Sequence, residues 1–177
     1  PQTVCSVCGS NEIRPFMLVG DKYYWTCNVC KARILSCKHW LSKEEEFKYY
    51  QTNQNISSDP AYQEFAAQLA LPILDKLVPN SSGLDFGCGP DSALSAILRQ
   101  HGHNMTLYDP FFSPAKKSLK KTYDFIVCSE AAEHFHQPAK EFKKFNSLLN
   151  ENGWIGIMTN FETENARFKD WHYRRDT

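Results

Sequence analysis

Apolar positions follow two different periods from residue 60 onward, and the change from one to the other marks the elements. Asp59-Pro60 predicts a helix start, with Asp as N-cap and Pro at the first helical position. Behind it Phe65, Leu69, Ile73, Leu74 and Leu77 recur at helical spacing, with a kink expected at Pro72. Gly83-Leu84-Asp85-Phe86-Gly87 then reads as a short buried strand that ends in glycine. A helix is predicted from about Ser92 to Gln100, with Gly102 as its stop. Further strands are expected at Met105 to Tyr108, Tyr123 to Cys128 and Trp154 to Met158, with a helix at about Ala139 to Leu149 before the last. Strands alternating with helices predict an α/β fold with a Rossmann-like, doubly wound parallel sheet.

The first part of the chain is different. Short apolar runs such as Phe16-Met17-Leu18-Val19 and Tyr23-Tyr24-Trp25 are interleaved with Cys5, Cys8, Cys27, Cys30 and Cys37. Cys5-Ser-Val-Cys8 and Cys27-Asn-Val-Cys30 are two CxxC pairs separated by 18 residues. Each can close a tight turn, and two such turns supply the four thiolates that tetrahedral Zn²⁺ prefers. Gly9 suits a turn that needs a positive φ. Reduced or redox-active pairs are the competing reading, and Cys37 falls outside the spacing. Residues 43–59 are polar, with Ser42 and Glu45 signalling a short helix. The expected division is a zinc ribbon-like module over 1–42, a connector over 43–59 and the α/β domain over 60–177.

Composition narrows the partners rather than the fold. The 177 residues are 42% hydrophobic and 23% charged, values of an ordinary globular chain. A formal net charge of +0 gives no global attraction to nucleic acid or acidic membrane. No apolar run has the length of a membrane span and no secretory leader is visible, so a cytoplasmic location is expected. Locally, residues 1–43 carry six basic residues against two acidic ones near Tyr23, Tyr24 and Trp25. That pattern fits a solvated basic face over a small aromatic core better than a nucleic-acid surface, though it allows both.

Chemistry concentrates at Leu84-Asp85-Phe86-Gly87-Cys88-Gly89-Pro90. A strand ending in GxG and leading into a helix lets a ligand sit against bare backbone. Asp109 follows Gly89 by 20 residues, at the end of the next strand, the spacing of an acid that binds a ribose diol. Ser92 stands where a dinucleotide fingerprint has its third glycine, and Asp85 stands where such a site lacks an acid. Both differences favour S-adenosylmethionine, which carries a positive ammonium and sulfonium and no pyrophosphate.

Leu84 to Pro90 resembles the first motif of class I S-adenosylmethionine-dependent methyltransferases, and Tyr108-Asp109 resembles their second-strand acid. Tyr123 to Glu130, continuing through Glu133-His134, resembles their fourth strand and its loop. Asn152 to Met158 resembles the turn into their fifth strand. The cysteine-rich head joined to such a core is similar to a group of bacterial methyltransferases with N-terminal zinc motifs. The resemblance implies that Asp85, Gly87 and Gly89 line the methionine part, Asp109 the ribose, and Ser129 with Glu130 the far wall. It also implies an enzyme that methylates a small-molecule or glycan-type acceptor, with oxygen a candidate atom. The stretch from Asp109 to Tyr123 is too short for the family's usual helix and third strand. Phe111 or Phe112 is expected to stack on adenine there instead. Past Phe161 the family adds two more strands, and their lack here would expose a sheet edge.

Glu130, Glu133 and His134 fall at i, i+3 and i+4, which would gather them on one helical face. They resemble the Glu-x-x-Glu-His of quinone-pathway O-methyltransferases, implying a second divalent cation with His134 and Glu133 as catalytic residues. Packing and hydrogen bonding are the alternative role for the same residues. Two other functions stay open: an RNA methyltransferase gripping its substrate through the basic module, and a non-enzymatic module with a degenerate core.

Overall fold

The computed structural model describes residues 3–52, 56–161 and 165–175. The chain forms two compact units: Pro1–Glu44 with Glu133–Lys143 and Asn160–Thr177, and Glu45–Ala132 with Lys144–Thr159. Among the described residues no helix is long and apolar enough to cross a membrane.

The first unit is built on an antiparallel sheet of β1 (Ile13–Val19), β2 (Lys22–Cys27) and β3 (Arg33–Leu35), in that order. Gly20, at φ +61°, turns β1 back onto β2. Alternation along β2 buries Tyr24 and Thr26 on one face, and two small cores result. One holds Cys5, Cys27 and Ile34. The other holds Tyr24, Leu35 and Phe168. Phe168 is only 1% exposed and meets Phe16 and Tyr24 edge-on at 5.0 and 4.9 Å. The C-terminal segment therefore completes the core of the cysteine-bearing sheet, a role its sequence did not announce.

In the second unit β4 (Ser82–Phe86), β5 (Asn104–Tyr108), β6 (Tyr123–Ser129) and β7 (Leu149–Met158) form a parallel sheet ordered β5-β4-β6-β7. The unit also contains α2 (Pro60–Leu74) and α3 (Ala93–Gln100) and nearly all of α1 (Lys43–Gln51), while α4 (Pro138–Leu148) carries the chain into it. Asp59 caps α2 by accepting from the N–H groups of Ala61 and Tyr62. Pro72 lies in the last turn, and the helix stops two residues later. Leu69, Ile73, Leu94 and Leu98 pack with Phe125 and Val127 on one sheet face. On the other face Phe145 of α4 meets Phe86 at 4.8 Å. Helices on both faces make the sheet doubly wound.

Gly83 shows why this strand is tight: a Cβ there would stand 2.3 Å from the Phe125 ring. Between β5 and β6 the chain forms only a bridge between Asp109 and Ser113 and a 3₁₀ turn at Lys116–Lys120. Among the described residues β5 and β7 are the outermost strands of the sheet.

Candidate cofactor site and metal centre

Two knuckles of the same shape present the cysteines. The Gly9 N–H donates to the Cys5 carbonyl at 2.9 Å, and the Lys31 N–H to the Cys27 carbonyl at 3.0 Å. Each turn closes on a residue in the left-handed region, Gly9 at φ +74° and Lys31 at φ +64°. Sequence reasoning found the first because it is glycine and missed the second because it is lysine. The four Sγ atoms of Cys5, Cys8, Cys27 and Cys30 lie within 4.8 Å of one another. Cys5 to Cys30 and Cys8 to Cys27 are each 3.6 Å. A tetrahedral sulfur site with Zn–S bonds of about 2.3 Å requires S···S edges of about 3.8 Å. The residues present fit Zn²⁺. The Cys30 backbone N–H aimed at the Cys27 sulfur brings that thiol down to about 7, whereas burial raises Cys5 and holds Cys30 at about 12. A bound cation would itself have to favour the thiolates at those last two positions.

At the carboxyl ends of β4 and β5 the glycine loop and its acid come together. Gly87 (φ +79°) and Gly89 (φ +64°) both adopt backbone that side chains rarely take. The Gly87 N–H donates to the Tyr108 carbonyl at 2.8 Å. A Cβ on Gly87 would lie 2.5 Å from the Ala131 Cβ, so the turn after β6 passes directly against this backbone. A Cβ on Gly89 would meet nothing within 4 Å. The loop is thus closed at its first glycine and open at its second.

Asp109 organises the opening. One carboxylate oxygen accepts from the N–H groups of Phe111 and Phe112 at 2.8 and 3.0 Å, and the other accepts from the Gly89 N–H at 3.1 Å. A carboxylate has about four acceptor sites, so these three bonds do not exhaust it. Phe111 packs against Phe47 and Tyr50 of α1, at 5.8 and 5.7 Å between ring centres. This aromatic floor beside Asp109 includes two residues from α1 that sequence reasoning did not select.

Asp85 is 2% exposed and lies beneath the loop. Its carboxylate accepts from the hydroxyls of Ser92 and Ser95 at 2.6 and 2.7 Å, while burial pushes its pKa up. Ser92 also caps α3 by accepting from the Ser95 N–H at 3.0 Å. The residue that replaces a third glycine therefore ties the loop acid to the helix start. Cys88 is buried, and burial with the Asp85 and Asp109 carboxylates holds its thiol at about 12.

Ser129 ends β6, and the Glu130 N–H donates to the Met158 carbonyl at 2.8 Å. Glu130 takes φ +50°, and only Ala132–His134 form a 3₁₀ turn. The shared helical face expected of Glu130, Glu133 and His134 does not form, because the left-handed turn breaks the α spacing before Glu133. Among the described residues the one converging set of three or more ligand-type side chains is the four cysteines. Glu133 and His134 belong to the first unit, where Glu133 lines a small cavity. His134 is partly buried, and desolvation of its ring, with His136 nearby, lowers it to about 4.

A family model described as a methyltransferase domain matches residues 60–177. No curated protein matches the sequence. Among solved structures, the chain is similar to the plantazolicin methyltransferase BpumL in complex with a triazolic desmethylPZN analogue and SAH. The identity there is 16%, the TM-score 0.42, and the match covers 75% of this chain and 64% of that one. Coclaurine N-methyltransferase bound to N-methylheliamine and SAH is similar at 15% identity and a TM-score of 0.37, over 68% of this chain and 52% of that one. The chain thus spans between about half and two thirds of the length of these two enzymes.

Proposed function

The chain belongs to the methyltransferase domain family, and from that premise we propose that it is an S-adenosylmethionine-dependent methyltransferase acting on a small-molecule or glycan-type acceptor. The observation that carries the reading is Gly89: backbone at φ +64°, open space where a side chain would stand, and the Asp109 carboxylate on its N–H. Those features suit a ligand that needs close backbone approach and a carboxylate for a diol.

S-adenosylmethionine, when bound, supplies a methyl group already activated on a sulfonium, which leaves alignment and exclusion of water to the protein. We assign Asp109 to the ribose, Gly87 and Gly89 to the methionine side, and Ser129 with Glu130 to the far wall. Phe111 or Phe112 would stack on adenine. Asp85, expected from the resemblance to line the methionine part, is proposed instead to act at one remove, holding Ser92 and Ser95 and through them the start of α3. His134 and Glu133 are the residues proposed to handle an acceptor proton. With its pKa lowered to about 4, His134 is neutral throughout the physiological range, a form suited to hydrogen bonding, and proton acceptance would require the bound acceptor to raise it. The cysteines hold a structural Zn²⁺.

Calorimetric titration of S-adenosylhomocysteine into the zinc-replete chain tests the proposal. Binding at about micromolar Kd, weakened at least tenfold in Asp109→Asn, is the expected result. A folded, zinc-loaded chain that takes up none would overturn it.

A further inference from the structure

The first unit contains a cavity of about 130 Å³ to which neither the glycine loop nor the cysteine cluster contributes. Its volume approaches the roughly 150 Å³ of a cavity that admits one benzene ring. Its walls are aromatic, and its charged groups are two guanidiniums and one carboxylate: Arg33, Arg174 and Glu133. Whatever pairs form among the three, their sum is one positive charge.

Both cations are held in place before any ligand arrives. The Arg33 guanidinium lies 4.0 Å from the centre of the Phe16 ring. Arg174 donates through Nε to the Lys169 carbonyl at 2.6 Å and through Nη1 to the Tyr24 hydroxyl at 3.4 Å. That hydroxyl in turn donates to the Arg174 carbonyl at 2.8 Å. These contacts occupy two of the five N–H donors of Arg174. The aromatic wall is equally ordered: Trp171 and Tyr173 stack at 5.5 Å and 21°, and buried Phe168 stands between Trp171 and Tyr24.

We propose that this cavity is a binding site for a small aromatic carboxylate. A planar ring gains contact with the partly exposed Trp171 and Tyr173 rings, and a carboxylate matches the paired N–H geometry of a guanidinium. The net positive charge selects the anion over its neutral analogue. An inorganic anion would satisfy the guanidiniums but leave the rings uncovered. Binding itself does not depend on the methyltransferase reading; naming the bound acid as the methyl acceptor would rest on it.

Benzoate and benzamide are matched probes, one ring with and without the charge. Calorimetry on the full zinc-replete chain, with no cofactor present, should show saturable benzoate binding at about millimolar Kd or tighter, and benzamide at least tenfold weaker. Arg174→Gln should weaken benzoate about tenfold, as expected for losing a charge-assisted contact, while leaving benzamide unchanged. Phosphate should bind more weakly than benzoate. Equal affinity for benzoate and benzamide, or no saturation below about 20 mM, would overturn the proposal. The comparison of the two probes on the unaltered chain decides the matter even if Arg174→Gln fails to fold. Because cofactor is absent throughout, failure here leaves the S-adenosylhomocysteine result untouched, and the reverse holds equally.

Discussion

The two glycines of the β4 loop differ in what a side chain would encounter, and that difference separates folding from binding. Alanine at either position incurs a left-handed backbone cost of about 1 kcal/mol. At Gly87 the new Cβ also meets Ala131 at 2.5 Å. Gly87→Ala should therefore cost about 2–4 kcal/mol in urea unfolding. Gly89→Ala adds its methyl to open space, so its stability loss should stay near 1 kcal/mol while S-adenosylhomocysteine binding falls at least tenfold. Equal stability losses would contradict the close approach at Ala131.

His134 makes a second residue-level prediction. Its pKa falls from 6.5 to about 4 on folding, so between those values the unfolded chain binds more protons. The stability it secures is complete above pH 6.5 and is lost as pH falls toward 4, by an amount on the order of 3 kcal/mol. Unfolding measured against pH should show that decline, and His134→Gln should flatten it. Sequence spacing singled out His134, but its protonation state depends on burial, which no spacing reports.

Elements show the same boundary between local and distant causes. The CxxC turns, the Asp59 cap and the helix that starts after Ser92 are legible because each depends on a few neighbouring residues. The helical face assumed for Glu130 to His134 failed because one residue, Glu130 at φ +50°, redirects the chain. No glycine or asparagine marks that turn, so the sequence carries no signal for it. The three-stranded sheet buries only small clusters around Cys27 and Phe168, too little for a unit of this size without a staple. Removing zinc with a chelator should therefore release Trp25 from the Cys5–Cys27–Ile34 cluster, read as a shift in tryptophan fluorescence. The far-UV signal of α2 and α3 should persist. An unchanged fluorescence spectrum after complete metal removal would argue against a structural zinc.

At the scale of the whole molecule, β5 and β7 are the outermost strands of the parallel sheet among the described residues. β7 carries exposed Trp154, Ile155 and Ile157, with Gly156 buried between the two isoleucines against Leu69. An apolar edge strand is a template for pairing with other chains. Sedimentation at rising concentration should show self-association, and Ile157→Lys should reduce it. That an apolar strand stands outermost among the described strands is visible only once β7 is placed in the sheet.

Fold class, the two cysteine knuckles and the strand-glycine-helix-strand-acid order that carries Asp85, Gly87, Gly89 and Asp109 are all legible along the chain. Each of these depends on periodicity, turn chemistry or spacing within a few dozen residues. Tertiary structure alone decided that Ser92 and Ser95 bind Asp85, that Phe47 and Tyr50 pack on Phe111, and that Phe168 completes a core with Tyr24. It also decided that two arginines and a carboxylate share one aromatic cavity. The physical reason is the reach of the interactions involved. Backbone preferences act between neighbours and leave a pattern in the chain, whereas burial and side-chain packing join residues as far apart as Tyr24 and Arg174 and leave none.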